Sequence, residues 1–392
     1  MDKINPQERR LCFLESFNNR FKMKILHICP KSVISKGDSY QEQLLAKWHR
    51  RLGHDVSIIT NIYSYDANGK IIENIMGTKF NEDGVKIIRL KSILGFSLYN
   101  KLFVLKGLKQ AIKEEHPDLI FQHGFQFLDS IVISSYCSEK GIKYIVDNHA
   151  DYSNSCNSFL SKYVLHAIIW KWIAKKIAPT VSTFYGVMPS RVKILSDLYG
   201  IDKRKCKLLM LGVDDDLIEN NKGNQICKDG EIRMITGGKI DRSKKETLAL
   251  MDIVAKSKSK ISLTIFGSVD KELSSEFMSK IDGKRIKFVG WLNQKEITRE
   301  IMNSDIACFP GRHSVLWEQT IGVGKPLIVK KWYDMEHLDI GGNVIMIDEG
   351  EGVLEKAINS LTVKTIRQMA INANSDKKNN FRYSRIALDS LR

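Results

Sequence analysis

Strands and helices alternate along most of this chain, and that alternation limits its possible folds more than any other feature. In residues 23–213, short apolar runs such as Ile25–Cys29 and Val56–Thr60 flank longer amphipathic segments such as Ser39–Leu52. The alternation begins again at Ile232. Strands that alternate with helices predict βαβ units and mostly parallel sheets. The sequence therefore predicts an α/β protein with two doubly wound domains.

The domain boundaries follow from length and local composition. A chain of 392 residues fits two domains of ordinary size. A polar stretch that contains two glycines separates the two alternating regions and is predicted to be a linker. The first residues are polar and precede a typical domain start at Met23. The predicted segments are an N-terminal extension (1–22), a first domain (23–213), a linker (214–231) and a second domain (232–380).

The charge balance bears on the kind of partner. The net charge is +16 and the pI is about 9.3, which favours anionic ligands or surfaces. Residues 1–200 hold 28 Lys and Arg against 18 Asp and Glu, so the first half carries more of the excess. No long Lys/Arg tract is present, and we therefore expect no nucleic-acid partner.

Cysteine usage and hydropathy bear on the compartment. The seven cysteines are scattered, odd in number and without a CxxC pair. This pattern argues against a disulfide framework or a zinc site and favours a reducing compartment. The sequence shows no signal peptide and no apolar run of 18 or more residues. We expect a cytoplasmic protein, either free or peripheral on the cytosolic face of a membrane.

One candidate phosphate-binding segment is 235–245, which follows a predicted strand and precedes a helix. Gly237 and Gly238 would let a ligand approach the backbone closely, while Lys239 and Lys244 offer positive charge near a helix N-terminus. Neither GxxxxGK[ST] nor GxGxxG is present. A plain charged turn between strand and helix is the other interpretation.

A second candidate segment is 309–326. Its loop of small residues around Ser314 could bind a phosphate through backbone N–H groups. Glu318, at the start of the next helix, could hold a ribose diol through two hydrogen bonds. The alternative role for Glu318 is compensation of the helix dipole in the first turn.

These segments together resemble the GT-B glycosyltransferases of family GT4. Gly238-Lys239-Ile240 occupies the place of the family's Gly-Arg-Leu, Lys244 falls on its Lys, and Ile265-Phe-Gly267-Ser resembles its strand–Gly turn. The resemblance implies two Rossmann-like domains that face a central cleft, with the nucleotide-sugar donor bound by the second domain. It also implies that residues 381–392 form a C-terminal helix that returns towards the first domain.

The family's acidic motif is altered in this sequence. Counting back from Gly324 and Pro326 places Gln319 on the family's second Glu and Gly311 on its first, so Glu318 is offset by one residue. Neighbouring helical positions point about 100° apart and cannot face one ligand equally. We expect Glu318 to contact the donor, because a carboxylate accepts two hydroxyl donors.

The first half resembles the family more loosely. Gly37 lies where the family has a glycine loop after its first strand, and His149 lies at a strand end where it has a functional His. His123 has a similar place after another strand. A purely structural, hydrogen-bonded histidine is the alternative for both. The acidic run 214–216 is predicted to be a solvated turn, and we predict no metal site.

Two basic, apolar stretches are candidates for membrane contact. Both 159–179 and 96–113 combine aromatic and aliphatic residues with four lysines each. Basic amphipathic helices of this kind can lie in a membrane interface. Helices that cover a parallel sheet and direct lysines to solvent are the alternative.

The sequence thus predicts a metal-independent, retaining glycosyltransferase of surface polysaccharide biosynthesis. It would need no cofactor besides its nucleotide-sugar co-substrate, and its acceptor would be a glycan or a lipid-linked glycan. Retention is implied by the family resemblance alone. A nucleotide-sugar epimerase of the same fold and a non-catalytic binding subunit are the alternatives.

We predict His149 and Glu318 as catalytic residues. The predicted donor site adds Gly238, Lys239, Lys244, Gly267, Ser314 and Gln319, and the predicted acceptor side has Gly37 and His123.

Overall fold

The computed structural model describes most of the chain, in nine ranges: 22–32, 34, 40–65, 71–93, 104–150, 159–219, 226–242, 245–332 and 334–392. Gly37 and Lys244, two of the predicted site residues, lie outside these ranges. The chain forms two compact units. The first contains the described residues up to Leu209 together with Ala387–Arg392, and the second contains Met210–Ile386.

The first unit is built on an eight-stranded sheet with strand order β10-β9-β8-β7-β1-β2-β6-β5. All neighbouring strands pair in parallel except β5 and β6. Two short strands, β3 and β4, form a separate antiparallel pair. The strands are β1 Lys24–Cys29, β2 Asp55–Asn61, β3 Tyr63–Tyr65, β4 Ile71–Glu73, β5 Gly77–Phe80, β6 Lys86–Leu90, β7 Leu119–His123, β8 Lys143–Asn148, β9 Thr183–Gly186 and β10 Cys206–Leu208.

Helices connect these strands and cover the sheet. They are α1 Gln41–Arg51, α2 Leu108–Glu115, α3 Asp129–Lys140, a π-helix Leu160–Trp170, α4 Lys171–Ile177 and α5 Pro189–Asp197. The central strands are buried almost throughout, because helices shield both faces of a doubly wound parallel sheet. A continuous helix from Phe96 is wrong, since α2 begins only after Gly107, whose φ is +82°.

The second unit has a six-stranded, fully parallel sheet with strand order β13-β12-β11-β14-β15-β16. Its elements are α6 Asp215–Glu219, β11 Ile232–Ile240, α7 Glu246–Lys256, β12 Ile261–Val269, α8 Lys271–Ser279, β13 Ile286–Phe288, α9 Gln294–Asn303, β14 Ile306–Phe309, α10 Leu316–Val323, β15 Leu327–Lys330, β16 Val344–Ile347, α11 Val353–Asn359 and α12 Val363–Ala373. The last helix, α13 Tyr383–Ser390, begins in this unit and continues into the first unit from Ala387. The two sheets confirm the predicted α/β, doubly wound fold class.

Two local predictions in the second unit are wrong. The turn expected at Gly237–Gly238 is instead part of β11, which continues to Ile240 beside an equally long β12. The acidic run 214–216 is not solvated, because Asp215 is buried and its carboxylate accepts hydrogen bonds from both the backbone N–H and the hydroxyl of Ser384. No helix within the described ranges is both long enough and apolar enough to cross a membrane.

Candidate functional sites

Each sheet has one point where the strand order reverses, and in open α/β sheets ligands bind beyond the carboxyl ends of the strands at such a point. In the first sheet the reversal lies between β1 and β7, and in the second between β11 and β14. We describe the two sites separately.

The second site lies where β11 and β14 end. Here β11 and β12 approach so closely that a Cβ on Gly267 would overlap the carbonyl oxygen of Gly238. Gly238 and Gly267 have φ angles of +110° and +118°, which side chains other than glycine rarely adopt. These predicted donor-site glycines therefore shape the strand ends themselves.

Lys239 is the charged residue of this edge. Its side chain is 64% exposed, and its Nζ lies 3.7 Å from Asp241 and 3.8 Å from Asp270. Ion pairs this long and this exposed contribute little. The Lys239 ammonium group can therefore exchange them for a phosphate at small cost.

The loop after β14 leads into α10. The carbonyl of Ser314 accepts a hydrogen bond from the Trp317 N–H, and its hydroxyl lies 3.5 Å from the Leu316 nitrogen. Ser314 thus stands at the N-terminus of α10, where unpaired N–H groups and the helix dipole favour an anion.

The buried Glu318 and two half-buried histidines form a group that we call the Glu318 cluster (Glu318, His313 and His337). The Glu318 Oε1 lies 2.8 Å from His313 Nε2 and 3.9 Å from His337 Nε2. Burial by itself would raise the pKa of Glu318, but the two histidines outweigh it and lower that pKa to about 2. Glu318 is therefore ionised at neutral pH.

The second carboxylate oxygen of Glu318 is buried and has no hydrogen-bond partner among the described residues. The same is true of Gln319 Oε1 and His337 Nδ1. A buried polar atom without a partner is costly, and in a native structure it requires an explanation. Sequence reasoning predicted Glu318 but missed His313 and His337, although His313 stands only five positions before Glu318.

The first site lies where β1, β7 and β8 end. The parallel register places His123 directly beside Asp147. Their side chains meet at 2.6 Å between His123 Nδ1 and Asp147 Oδ2, and the other Asp147 oxygen accepts from the Gly124 N–H at 2.9 Å. The site is thus built around a fully buried carboxylate.

His149 lies on the solvent side of this carboxylate. Its Nε2 is 3.3 Å from Asp147 Oδ1, and its side chain is 38% exposed. Partial burial disfavours the charged ring, but the Asp147 carboxylate outweighs this effect and raises the pKa of His149. The sequence predicted both histidines and missed Asp147 as the group that joins them.

His123, Asp147 and His149 also form the one group among the described residues whose spacing could suit a metal ion. Two ligands 2.0 Å from a tetrahedral ion lie about 3.3 Å apart. The 2.6 Å contact between His123 and Asp147 is shorter and is that of a charge-assisted hydrogen bond. We therefore assign the contact between His123 and Asp147 to hydrogen bonding.

Cavities of about 290 and 210 Å³ lie elsewhere, at the amino ends of β11–β13 and of β1 and β2. The first is lined by Arg233, which pairs with the buried Asp305. The Asp305 carboxylate balances the charge of Arg233, so that charge does not require a ligand in the cavity. A larger cavity, of about 470 Å³, lies beside α5 and β10 and is also away from both switch points.

Comparison with known proteins agrees with this architecture. Residues 43–217 match the model of Glycosyltransferase Family 4. No curated protein matches the chain in sequence. Sucrose-phosphate synthase from Thermosynechococcus elongatus is similar in structure, with a TM-score of 0.66 at 14% identity over 94% of this chain and 97% of that one.

Two further solved structures share the fold. A glycosyltransferase from Rickettsia africae has a TM-score of 0.65 at 16% identity, over 94% of this chain and 97% of that one. Anabaena HepE in complex with UDP has a TM-score of 0.62 at 15% identity, over 94% of this chain and 98% of that one. Identities this low show the fold alone. The predicted resemblance to GT-B glycosyltransferases is confirmed.

Proposed function

We propose that this chain, which has the GT-B fold and matches Glycosyltransferase Family 4 over residues 43–217, transfers a sugar from a nucleotide-sugar donor to an acceptor. One observation carries the proposal. At the switch point of the second sheet, an ionised and fully buried Glu318 has one oxygen with no hydrogen-bond partner among the described residues. A hydroxyl of the donor would satisfy that oxygen, provided that donor binding opens a path to it through the covering side chains.

The donor side supports this role. An ionised carboxylate accepts strong hydrogen bonds from hydroxyls, as on a ribose or a sugar. The N-terminus of α10 and Lys239 offer positive charge at the same sheet edge, where a diphosphate would lie. HepE, which shares the fold, has been solved with UDP. We propose a nucleoside diphosphate sugar as the donor.

Charge develops on the diphosphate as the sugar leaves. Preorganised cations and N–H groups stabilise such charge in a site that excludes water. We propose that Lys239, together with Lys244 from outside the described ranges, supplies this stabilisation and that no divalent ion is required. Retention of anomeric configuration is part of the proposal and rests on the family resemblance.

On the acceptor side we propose that His149 receives the proton of the attacking hydroxyl. Its contact with Asp147 orients the ring and stabilises the charge that the ring gains. His149 is partly exposed, so a substrate can reach it, whereas Asp147 is fully buried. The acceptor would be a glycan or a lipid-linked glycan of surface polysaccharide biosynthesis.

The π-helix supports a membrane-facing acceptor side. Along this segment the exposed apolar residues are Phe159 just before the π-helix, Tyr163 and Ile168 within it, and Trp172 in the first turn of α4. A π-helix has i→i+5 bonds and roughly 4.4 residues per turn, so these positions fall on one face, whereas in a continuous α-helix they would divide between opposite faces. Exposed lysines follow at 175 and 176. We propose that this face contacts an anionic membrane surface from the cytoplasmic side.

Donor binding and turnover test the proposal together. In a thermal-shift screen, a nucleoside diphosphate sugar should raise the melting temperature, since it binds only the folded state. Lys239→Ala should weaken this shift, whereas Lys256→Ala, at the exposed C-terminal end of α7, should not. Rates within threefold of wild type for Lys239→Ala and Lys244→Ala would contradict the donor assignment.

Product analysis separates the alternatives. The proposal expects the sugar on an added acceptor and free nucleoside diphosphate. An isomerised sugar formed from donor alone would identify an epimerase. Donor binding without turnover under any acceptor condition would identify a binding subunit.

A further inference from the structure

Three buried histidines of the first unit form a continuous hydrogen-bonded chain, which we call the histidine chain (His49, His27 and His123). His49 Nδ1 lies 3.0 Å from His27 Nε2, and His27 Nδ1 lies 2.9 Å from His123 Nε2. One end continues to Asp147 at 2.6 Å. At the other end His49 Nε2 lies 3.1 Å from the carbonyl oxygen of Ala387 in the C-terminal helix.

Both ends of the histidine chain can only accept hydrogen bonds. The Ala387 carbonyl has no proton to give. Burial by itself would raise the pKa of Asp147, but His123 and His149 lower it below its usual range, so Asp147 is a carboxylate. The four contacts from Ala387 to Asp147 therefore need four N–H protons, whereas three neutral imidazoles carry three.

Ser390 decides whether this count holds. Its Oγ lies 2.9 Å from His49 Nε2 and 2.8 Å from the Ala387 carbonyl oxygen. We assign its single hydroxyl proton to that carbonyl, which lies one turn earlier in the same helix, so that Ser390 accepts from His49. A hydroxyl turned towards His49 Nε2 would instead make three protons sufficient and place one on His49 Nδ1. If His49 Nε2 carried no proton, its lone pair would point at a lone pair of the Ala387 oxygen, and the two would repel.

We propose that the histidine chain stores one proton beyond the neutral rings, carried mainly on His123 beside Asp147, as a proton reserve for the Asp147–His149 pair. This role rests on the proposed function, because the pair is the proposed acceptor-side site. His27 and His49 are then positioning residues that hold His123 doubly protonated. The arrangement of protons along the histidine chain follows from the hydrogen-bond contacts, and it can be tested without an enzyme assay.

The location of the charge follows from the surroundings. Burial and the neighbouring histidines lower the pKa of His27, and burial lowers the pKa of His49 to about 3, so both rings are neutral. His123 is the ring in contact with a carboxylate. Transfer of its Nδ1 proton across the 2.6 Å contact would neutralise both groups, and the reverse step would restore them.

Water is excluded along this path. The Phe121 ring packs against all three imidazoles, with ring centroids 4.9 to 6.4 Å away. The other titratable groups that face the chain or the pair are Cys29, Glu42, His54, His149 and Arg191.

Nitrogen NMR of the full-length chain with labelled histidine counts the protons directly. Near neutral pH we expect protons on both nitrogens of His123, and on Nε2 alone of His27 and His49. A bare nitrogen on His123, or an Nδ1 proton on His49, would overturn the proposal. This spectrum decides the arrangement even if every variant fails to fold or no transfer is found.

A pair of variants tests the positioning role. In His49→Gln the amide can still accept from His27 and donate to Ala387, so His123 should stay doubly protonated. In His49→Leu the acceptor for His27 is lost, and His123 should become neutral. Loss of that positive charge should move the acidic limb of the kcat–pH profile up by at least about one pH unit in His49→Leu only.

His166→Gln is the matched control, since His166 is buried and contacts Tyr199 at 2.6 Å outside the histidine chain. Equal pH shifts in His49→Leu and His166→Gln would overturn the positioning role. If the wild-type protein transfers no sugar, the proposed function is refuted. The NMR spectrum then still tests the proton count of the histidine chain.

Discussion

Glu318 shows how one buried carboxylate can distinguish a binding role from a packing role. Both Glu318 and Gln319 are buried, and each has an oxygen without a partner within the described part of the chain. Only Glu318 is ionised and held by two histidines. In our proposal, the offset of one residue from the acidic motif of GT4 enzymes leaves Glu318 as the acid that contacts the donor.

We predict that Glu318→Gln raises the donor KM or lowers kcat at least tenfold, about 1.4 kcal/mol. The amide accepts hydrogen bonds from hydroxyls more weakly than the carboxylate does. Gln319→Ala should change both constants little. Steady-state kinetics of the two variants measure this, and the opposite ranking would place Gln319 on the acid position of the family.

The strand-end glycines act at the same scale. Gly267→Ala should destabilise the second unit by about 3 kcal/mol or more, because the new Cβ overlaps the Gly238 carbonyl at a φ that alanine disfavours. Gly283→Ala is the matched control. Its φ is +69° and nothing lies within 4 Å of the added Cβ, so about 1 kcal/mol is expected.

Urea unfolding of wild type and both glycine variants measures these differences. Similar midpoints for Gly267→Ala and Gly283→Ala would show that β11 and β12 can separate at their ends without cost.

At the scale of elements, the π-helix followed by α4 is distinctive because its pitch gathers exposed apolar side chains on one face. Ile168 is 61% exposed, although an isoleucine gains from burial. Lysines at 171, 175 and 176 lie along the same segment. An apolar stripe with nearby cations matches what an anionic membrane surface offers.

We predict that wild-type protein sediments with anionic vesicles and is released by high salt, because charge attraction is screened. Ile168→Glu should reduce sedimentation several-fold. Ile371→Glu is the matched control, since Ile371 is 67% exposed on α12. Equal sedimentation with neutral and anionic vesicles, or equal effects of the two variants, would make the stripe an ordinary surface of a sheet-covering helix.

At the scale of the whole molecule, each unit brings one kind of chemistry to the switch point of its own sheet. The first brings a carboxylate between histidines, and the second brings cations, helix N–H groups and an ionised acid. The division agrees with transfer between an acceptor and a phosphorylated donor.

Metal independence is the corresponding prediction. Transfer should continue in excess chelator, because lysines and backbone N–H groups take the place of a divalent ion and the Asp147 oxygens are already hydrogen-bonded. Assays with and without chelator measure this. Complete loss that magnesium or manganese restores would assign the His123, Asp147 and His149 group, or another, to a metal.

Much of the architecture could be predicted from the sequence, because the relevant physics is local. Apolar runs and amphipathic segments set strands such as β1 and helices such as α1, and their alternation requires parallel sheets. Glycines at the end of an apolar run allow close backbone approach, so Gly238 and Gly267 were identifiable as candidate positions. The sequence could not show whether those glycines continue a strand or form a turn, because both give the same local pattern there.

Tertiary structure alone decided which distant side chains meet. His27 and His123 are 96 residues apart, and His49 and Ser390 are 341 apart, so no sequence window contains the histidine chain. His337 reaches Glu318 in the same way, through the fold of the second unit. Sequence determines the local conformation of each segment, but ionisation and hydrogen bonding depend on burial and partners, which exist only once the segments have packed together.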